Sequence, residues 1–441
     1  MERTAIPKGV RVYPPAEAAQ RRAVEEAILS VFRRWGFREV ITPTFEYLEV
    51  FTAGAEPGAA DAAGEQIDKF VDRRTGRLLA LRSDLTPQVA RLVATTLRHH
   101  PLPLRLCYAA SVFRYAEAQA ARNREFVQLG VELIGLDRPE ADAEMVAMAV
   151  EGCRAVGLTE FQIDVGQVEY FRGLLQALAP PPEAAGRLAS AVRRKDVVEL
   201  ELLLAGTPGP DAVKAALAAL PTLYGGPEIL DRAASLAAGV PRCQEAMANL
   251  HAVYDVLVQY ELADHVLIDL GEARALEYHN GVVFGTFVKG LGFQLSSGGR
   301  YDRLLGQLGY PCPATGFAFE LEKILMALQG EGRMPEDRGP DFLIIDFNPD
   351  KRHALRLARI LRGQGYAVAR DIIRRPLEGS LEYCRTAGVA RAIILGAPGA
   401  PAGTLLLRDL AGGAEARHGL DDFCQRLVRG ERPWGVGPEA R

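Results

Sequence analysis

Gln128 and Glu132 lie in a run, Val127-Gln128-Leu129-Gly130-Val131-Glu132-Leu133, whose apolar residues recur at every second position. A period of two marks a strand with one buried face. Gln128, Gly130 and Glu132 therefore share one face, and Val127, Leu129, Val131 and Leu133 the other. A polar loop precedes this strand, and an apolar strand ending at Val112-Phe113 leads into the loop. Arg114, Arg122 and Arg124 stand at the loop's shoulders. One sheet surface thus offers a carboxylate, an amide and guanidinium groups close together. That set suits an anionic or zwitterionic ligand, because a guanidinium presents a planar fork of donors to phosphate or carboxylate. An edge hairpin with a solvated, charged loop is the alternative reading of the same residues.

The elements that must hold this surface follow from periodicity. Val24, Ala27, Ile28, Val31, Phe32 and Trp35 recur at helical spacing up to Gly36. The stretch 37–51 predicts a strand whose Pro43 cannot donate to a ladder, which places it at an edge or a subunit boundary. Residues 52–64 are rich in small residues and read as a loop. Residues 66–71 and 78–81 predict a hairpin about Arg74-Thr75-Gly76, and Asp84 and Thr86 are placed to cap a helix continuing through Leu92. A helix over 139–156 and a strand over 161–168 come next. From about 170 to 263 the chain is rich in Ala, Leu, Glu and Arg at helical spacing, with Gly/Pro breaks and no chemical motif. Strands are expected at 266–270, 281–289 and 292–296, closed by a turn at 297–302 and followed by a helix from Glu320. After a polar linker at 331–340, strands and helices alternate from Phe342 to Gly396, the pattern of a small α/β domain with a largely parallel sheet.

Composition narrows the class. The chain has 441 residues, 48% hydrophobic and 24% charged, with a formal net charge of −4. That describes a globular protein of two or three domains and argues against one that coats nucleic acid. From Asp341 onward 16 basic residues face 12 acidic ones, leaving the first 340 residues at −8. The six cysteines are scattered without a C-x-x-C pair, which gives neither a zinc site nor a disulfide framework and fits a reducing compartment. With no signal-peptide pattern and no apolar run of membrane-spanning length, a cytoplasmic protein is expected. No metal is expected.

The segment 113–132, F-R-Y-x-x-x-Q-x-x-R-x-R-E-F-x-Q-x-G-x-E, closely resembles the second signature motif of class II aminoacyl-tRNA synthetases, in the version carried by histidyl-tRNA synthetases. The helix and proline-bearing strand near the N-terminus resemble the first motif, and SGGRYDRLLGQLG…PATGFAFELEKIL resembles the third. The resemblance implies an α+β fold: an antiparallel sheet with flanking helices over residues 1–330, a helical insertion at about 170–263, and a C-terminal α/β domain at 341–430 similar to an anticodon-binding domain. It also implies a histidine pocket. Asp84 and Thr86, in L-R-S-D-L-T-P, match the acid and threonine that hold the amino group. Gln128 and Glu132 match residues that contact bound histidine, and A-R-A-L-E-Y-H-N-G puts Arg274, Tyr278 and His279 in the histidine-specific segment, with His279 replacing a tyrosine. Arg114 and Tyr301 complete the implied set.

The nucleotide half of such a site departs from the pattern. Arg114 keeps the arginine that meets the α-phosphate, but Ala116 and Glu117 stand where an acid and an arginine belong. In the third motif Glu320 replaces a glycine and Lys323 an arginine, which keeps charge but loses the fork. A retained histidine pocket beside an eroded nucleotide pocket is similar to the regulatory subunits of ATP phosphoribosyltransferase, catalytically silent relatives of histidyl-tRNA synthetase. The resemblance then implies no catalytic residue and no cofactor. It implies as partner the short-form catalytic subunit, in a hetero-octamer containing dimers of this chain. It further implies histidine as feedback ligand in the first step of histidine biosynthesis; charge and the lack of a long apolar run give neither a nucleic-acid nor a membrane partner. The alternatives are a functional histidyl-tRNA synthetase and a free-standing ligase that makes an amino-acid adenylate.

Overall fold

The computed structural model describes residues 5–52, 67–114, 123–272, 279–336, 339–373 and 375–434. Met1–Tyr13 with Arg21–Pro335 forms one compact unit, and Pro14–Gln20 with Glu336–Arg441 forms a second.

The first unit is α+β, as the motifs imply. Its nine-stranded sheet runs, in spatial order, Arg38–Glu39, Leu104–Phe113, Glu125–Ile134, Ala314–Glu320, Ser296–Arg300, Val282–Val288, Phe161–Gln167, Val266–Asp269 and Tyr224–Gly225. The six strands from Leu104–Phe113 to Phe161–Gln167 are all antiparallel to their neighbours. Period-two patterning sorts their residues by face. Leu129, Val131 and Leu133 are wholly buried in a core shared with Phe317 and Phe319. Ile28 and Phe32 of the helix Pro15–Arg34 and Met145, Val146 and Ala149 of the helix Pro139–Ala155 belong to the same core. Each Leu, Ile, Val, Phe or Met side chain so withdrawn from water contributes about 1.5–3 kcal/mol. Phe32 meets Phe317 edge-on at 5.9 Å between ring centres. The other face carries the site: Gly130 and Gly316 leave room on it for Tyr108 and Glu132, and Leu106, Tyr108, Val112 and Tyr301 belong to a second apolar core there.

Several expectations are corrected. The stretch 37–51 is not one strand. It breaks at Pro43 into Arg38–Glu39 and Phe45–Tyr47, and Leu48–Thr52 turns helical. Arg38–Glu39 lies at the edge of the large sheet, while Phe45–Tyr47 joins the hairpin Lys69–Val71/Leu78–Leu81 in a separate three-stranded sheet. The sequence Ser296-Ser297-Gly298-Gly299-Arg300 is a strand rather than a turn. Its glycines serve close packing: a Cβ on Gly298 would lie 2.2 Å from that of Phe317, and one on Gly299 would lie 2.6 Å from the Val282 carbonyl oxygen. Asp84 and Thr86 do not cap the next helix, which begins at Thr86 with Leu85 as an N-cap lacking any side-chain bond.

Residues 168–259 hold six helices, Val168–Leu178, Pro182–Arg193, Val197–Ala205, Asp211–Ala219, Glu228–Leu236 and Pro241–Gln259, with the short strand Tyr224–Gly225 among them. In the second unit the strands Val368–Arg370, Phe342–Asp346 and Arg391–Leu395 are parallel, but Thr404–Asp409 and Glu415–Gly419 extend the sheet antiparallel. The sequence reading had no strands beyond Gly396. Trp434 is packed against Phe342 and Tyr366; residues 435–441 lie outside the described residues. All six cysteines are buried and unpaired.

Candidate functional site

Strand register builds the site. Across the open face Glu132 is paired with Leu106 and Gly316, and Gly316 with Gly299; one step along, Gly130 lies between Tyr108 and Ala318, and Gln128 between Ala110 and Glu320. The floor is therefore Gly130, Gly316, Gly299 and Ala318, with Glu132 and Gln128 as polar posts. The glycines are dictated by what lies over them. A Cβ on Gly316 would stand 1.9 Å from Glu132 Oε2, and one on Gly130 would stand 2.5 Å from the Tyr108 hydroxyl.

Glu132 is 1% exposed. Its Oε1 accepts from Thr86 Oγ1 at 2.7 Å and from the Tyr108 hydroxyl at 3.1 Å, and its Oε2 accepts from the Tyr301 hydroxyl. Burial pushes its carboxyl up to about 8, against three hydroxyl donors that favour the ionised form; the nearby Asp84 carboxylate adds to the rise. The site at rest thus holds a buried acid that stays protonated near neutrality and that a ligand donor can ionise. The phenol of Tyr108 is itself raised by burial, then by Glu132 and Asp84. In Tyr108→Phe one donor to the ionised carboxylate is lost, and the Glu132 midpoint is expected to rise by about one pH unit, read by carboxyl-carbon NMR titration.

The segment Ser83–Thr86 is laced onto this face. Arg114 Nε donates to the Ser83 carbonyl at 2.9 Å, and the Leu85 N–H reaches both Asp84 Oδ1 at 2.8 Å and Gln128 Oε1 at 3.2 Å. The structure therefore brings Asp84, Thr86, Arg114, Gln128, Glu132 and Tyr301 together. His279 joins them: a Cβ on Gly299 would stand 2.7 Å from His279 Cδ2, so the imidazole covers the glycine next to the one beneath Glu132. Arg274 and Tyr278 lie outside the described residues, as do Arg122, Ala116 and Glu117. Tyr108 escaped sequence reasoning. Its signal was a tyrosine in a strand that pairs with the Gly130 strand, legible only once the register is known.

At the other end of the face, Glu320 Oε2 lies 2.8 Å from Lys323 Nζ, and its Oε1 lies 3.9 Å from Arg114 Nη1. The carboxylate that replaced glycine thus sits between the two cations. Arg124 is engaged by both oxygens of Asp68, at 2.8 and 2.9 Å. Glu322 is a structural acceptor for the Val127 N–H at 2.9 Å and Arg21 Nη2 at 2.8 Å. Among the described residues here, Arg114, Lys323, Arg124 and Arg21 each face a carboxylate.

A family model described as histidyl-tRNA synthetase matches residues 9–324. The ATP phosphoribosyltransferase regulatory subunit of Geobacter sulfurreducens is 44% identical over 391 residues, covering 89% of this chain and 88% of its own length. That of Syntrophotalea carbinolica is 44% identical over 426 residues, covering 97% of both chains. Among solved structures, an ATP phosphoribosyltransferase regulatory subunit/histidyl-tRNA synthetase from Bacillus halodurans is 29% identical with a TM-score of 0.76, over 90% of this chain and 98% of that one. The histidyl-tRNA synthetase of Nostoc sp. PCC 7120, 22% identical over 98% of this chain and 100% of that one, shares the fold with a TM-score of 0.81.

Proposed function

Because the chain belongs to the histidyl-tRNA synthetase-like family of ATP phosphoribosyltransferase regulatory subunits, we propose that it is the non-catalytic subunit of that enzyme. It is required for activity of the short-form catalytic subunit and confers histidine feedback inhibition on the first step of histidine biosynthesis. Histidine binds on the open sheet face, with Glu132, Gln128, Thr86, Asp84, Tyr301 and His279 around it. Arg274 and Tyr278 are assigned to the same pocket by resemblance. Arg114 stands at the junction of the pocket with the former nucleotide end. The subunit pairs with itself as a dimer and with the catalytic subunit in a hetero-octamer, acts in the cytoplasm, and uses neither cofactor nor metal. The C-terminal unit is a retained relative of an anticodon-binding domain. Among the described residues no helix is long and apolar enough to cross a membrane.

The observation that carries the loss of adenylation is the position of Glu320. Adenylate formation depends on positioning and charge neutralisation around a bound polyphosphate. Here a fixed carboxylate occupies the space between the cations Arg114 and Lys323. An incoming phosphate meets like charge where it needs opposite charge. The polar posts for the amino acid, in contrast, are assembled.

Two measurements test the reading. Histidine-dependent exchange of labelled pyrophosphate into ATP is expected to be absent, while calorimetry detects histidine binding. Adding the chain to a short-form catalytic subunit is expected to raise the rate of phosphoribosyl transfer to ATP, and histidine to suppress it. Clear exchange would make the chain an adenylating enzyme and overturn the proposal. Failure to activate a catalytic subunit from the same genome would remove the regulatory role.

A further inference from the structure

The helical region between residues 168 and 259 carries no chemical motif, yet it is wired to the site. Arg172, on the helix Val168–Leu178, donates through Nη1 to the backbone carbonyl of His279 at 2.7 Å. The same nitrogen is held by Glu169 Oε1 at 3.0 Å. The other oxygen of Glu169 accepts from Arg242 Nε at 2.7 Å and from Arg242 Nη2. Arg242 stands in the first turn of the helix Pro241–Gln259 and also donates to Gln176 Oε1 at 2.8 Å. The two helices meet where Gly173 faces Cys243, since a Cβ on Gly173 would stand 2.7 Å from Cys243 Sγ. Gln167, which caps the first helix, donates to Asn249 on the second at 2.9 Å. On the far side of His279, Asn280 exchanges two hydrogen bonds with Asp302, at 2.9 and 2.7 Å.

We infer that Arg172 is a positioning residue for the ligand pocket, and that the Arg242–Glu169–Arg172 relay lets the helix Pro241–Gln259 set where the His279 imidazole sits over Gly299. The carbonyl held by Arg172 belongs to the residue whose ring covers Gly299, so a shift of the guanidinium moves that ring. Glu169, Arg242 and Asn280 also line a cleft of about 590 Å³. The outer part of the relay thus borders the cleft, while the helix Pro241–Gln259 that carries Arg242 is seated in the core through Cys243, Met247 and Leu250. This gives the helical region a function: a displacement of its last helix is delivered to the pocket as a displacement of one imidazole. The inference rests on histidine being the pocket's ligand, but the relay itself can be tested without ligand.

The test uses the full-length chain and the variants Arg172→Gln, Arg172→Lys, Arg242→Gln, His279→Ala and Arg172→Gln/His279→Ala. Ring resonances of labelled histidine are followed by NMR, with His279 assigned by its absence in His279→Ala. Histidine affinity is measured by calorimetry. Arg172→Gln and Arg242→Gln are both expected to shift the His279 ring resonances without added ligand. Arg172→Gln is expected to weaken histidine binding by about tenfold, the scale of one lost charge-assisted hydrogen bond, and Arg172→Lys to restore part of it. In the His279→Ala background Arg172→Gln should add nothing. Should Arg172→Gln fail to fold, Arg242→Gln and Arg172→Lys carry the NMR comparison. Unmoved ring resonances, or an undiminished Arg172→Gln effect in the absence of the His279 ring, would overturn the relay. Wild-type protein that binds no histidine would instead overturn the ligand assignment, with the resonances still deciding the relay.

Discussion

Histidine binding at pH 7 is expected to release about one proton from Glu132, and Glu132→Gln is expected to abolish both the release and most of the affinity. The buried carboxyl, held near 8 by desolvation, is mostly protonated in the empty site at neutral pH. A ligand ammonium or imidazole N–H placed against it favours the ionised form and drives its proton into solvent. Calorimetry in buffers of different ionisation enthalpy counts that proton directly. Replacing a carboxylate that faces a ligand cation in a buried site removes an interaction worth roughly 3 kcal/mol, or about a hundredfold in affinity.

The same group makes the empty protein's stability depend on pH. The folded midpoint, about 8, lies above the ordinary carboxyl value of 4.5. The stabilisation that protonated Glu132 provides is therefore whole below 4.5 and is lost as pH rises through 8. By pH 9 the loss is on the order of 5 kcal/mol. Glu132→Gln keeps a neutral group of the same shape. It should match wild type in chemical denaturation at pH 4 and exceed it at pH 9. Equal stability of the two proteins across that range would show that Glu132 titrates as an ordinary surface carboxyl.

Gly316→Ala is expected to empty the pocket with a single methyl group. The added carbon would lie 1.9 Å from Glu132 Oε2 and 2.4 Å from the Val131 carbonyl oxygen. The first contact expels the carboxylate from its three hydroxyl donors; the second is with backbone, so the paired strands must also separate. Overpacking of this kind costs about 1–3 kcal/mol, and losing the displaced carboxylate's bond to the ligand costs about a further ten- to hundredfold in binding. Denaturation and histidine calorimetry on one sample read both effects. Gly309→Ala is the instructive control for backbone strain alone, since Gly309 has a φ of +77° and nothing within 4 Å of an added Cβ. Wild-type histidine affinity in Gly316→Ala would mean that the floor under Glu132 is not the ligand's floor.

How much of this was legible in the sequence depends on how far each signal reaches along the chain. Alternation over 127–133 was enough to put Gln128 and Glu132 on one face, because period two is a local property of a strand. Thr86 and Tyr301 came from motif resemblance, and their convergence on a single carboxylate needs the register of distant strands. Tyr108 was invisible because its role depends on lying opposite Gly130, a pairing that no local pattern encodes. The SGGR stretch misled for a physical reason. Paired glycines commonly mark turns through positive φ, whereas here they serve an extended strand whose neighbours leave no room for a side chain. Arg172 sits on a helix that looked like filler, and its partner is a backbone carbonyl, which carries no residue-type signature at all.

Glu320 changes what kind of question nucleotide binding is for this chain. A carboxylate tethered 2.8 Å from Lys323 Nζ and 3.9 Å from Arg114 Nη1 acts as an intramolecular competitor. Groups linked through a short tether compete at an effective concentration of millimolar or more. This competitor cannot be diluted or washed away. A dissolved phosphate would have to displace it at every encounter, and raising the ionic strength weakens the intruder's attraction to the two cations as well as the tethered acid's. The weak nucleotide binding proposed for this chain is thus expected to persist from dilute buffer to the crowded cell, as a property of one side chain.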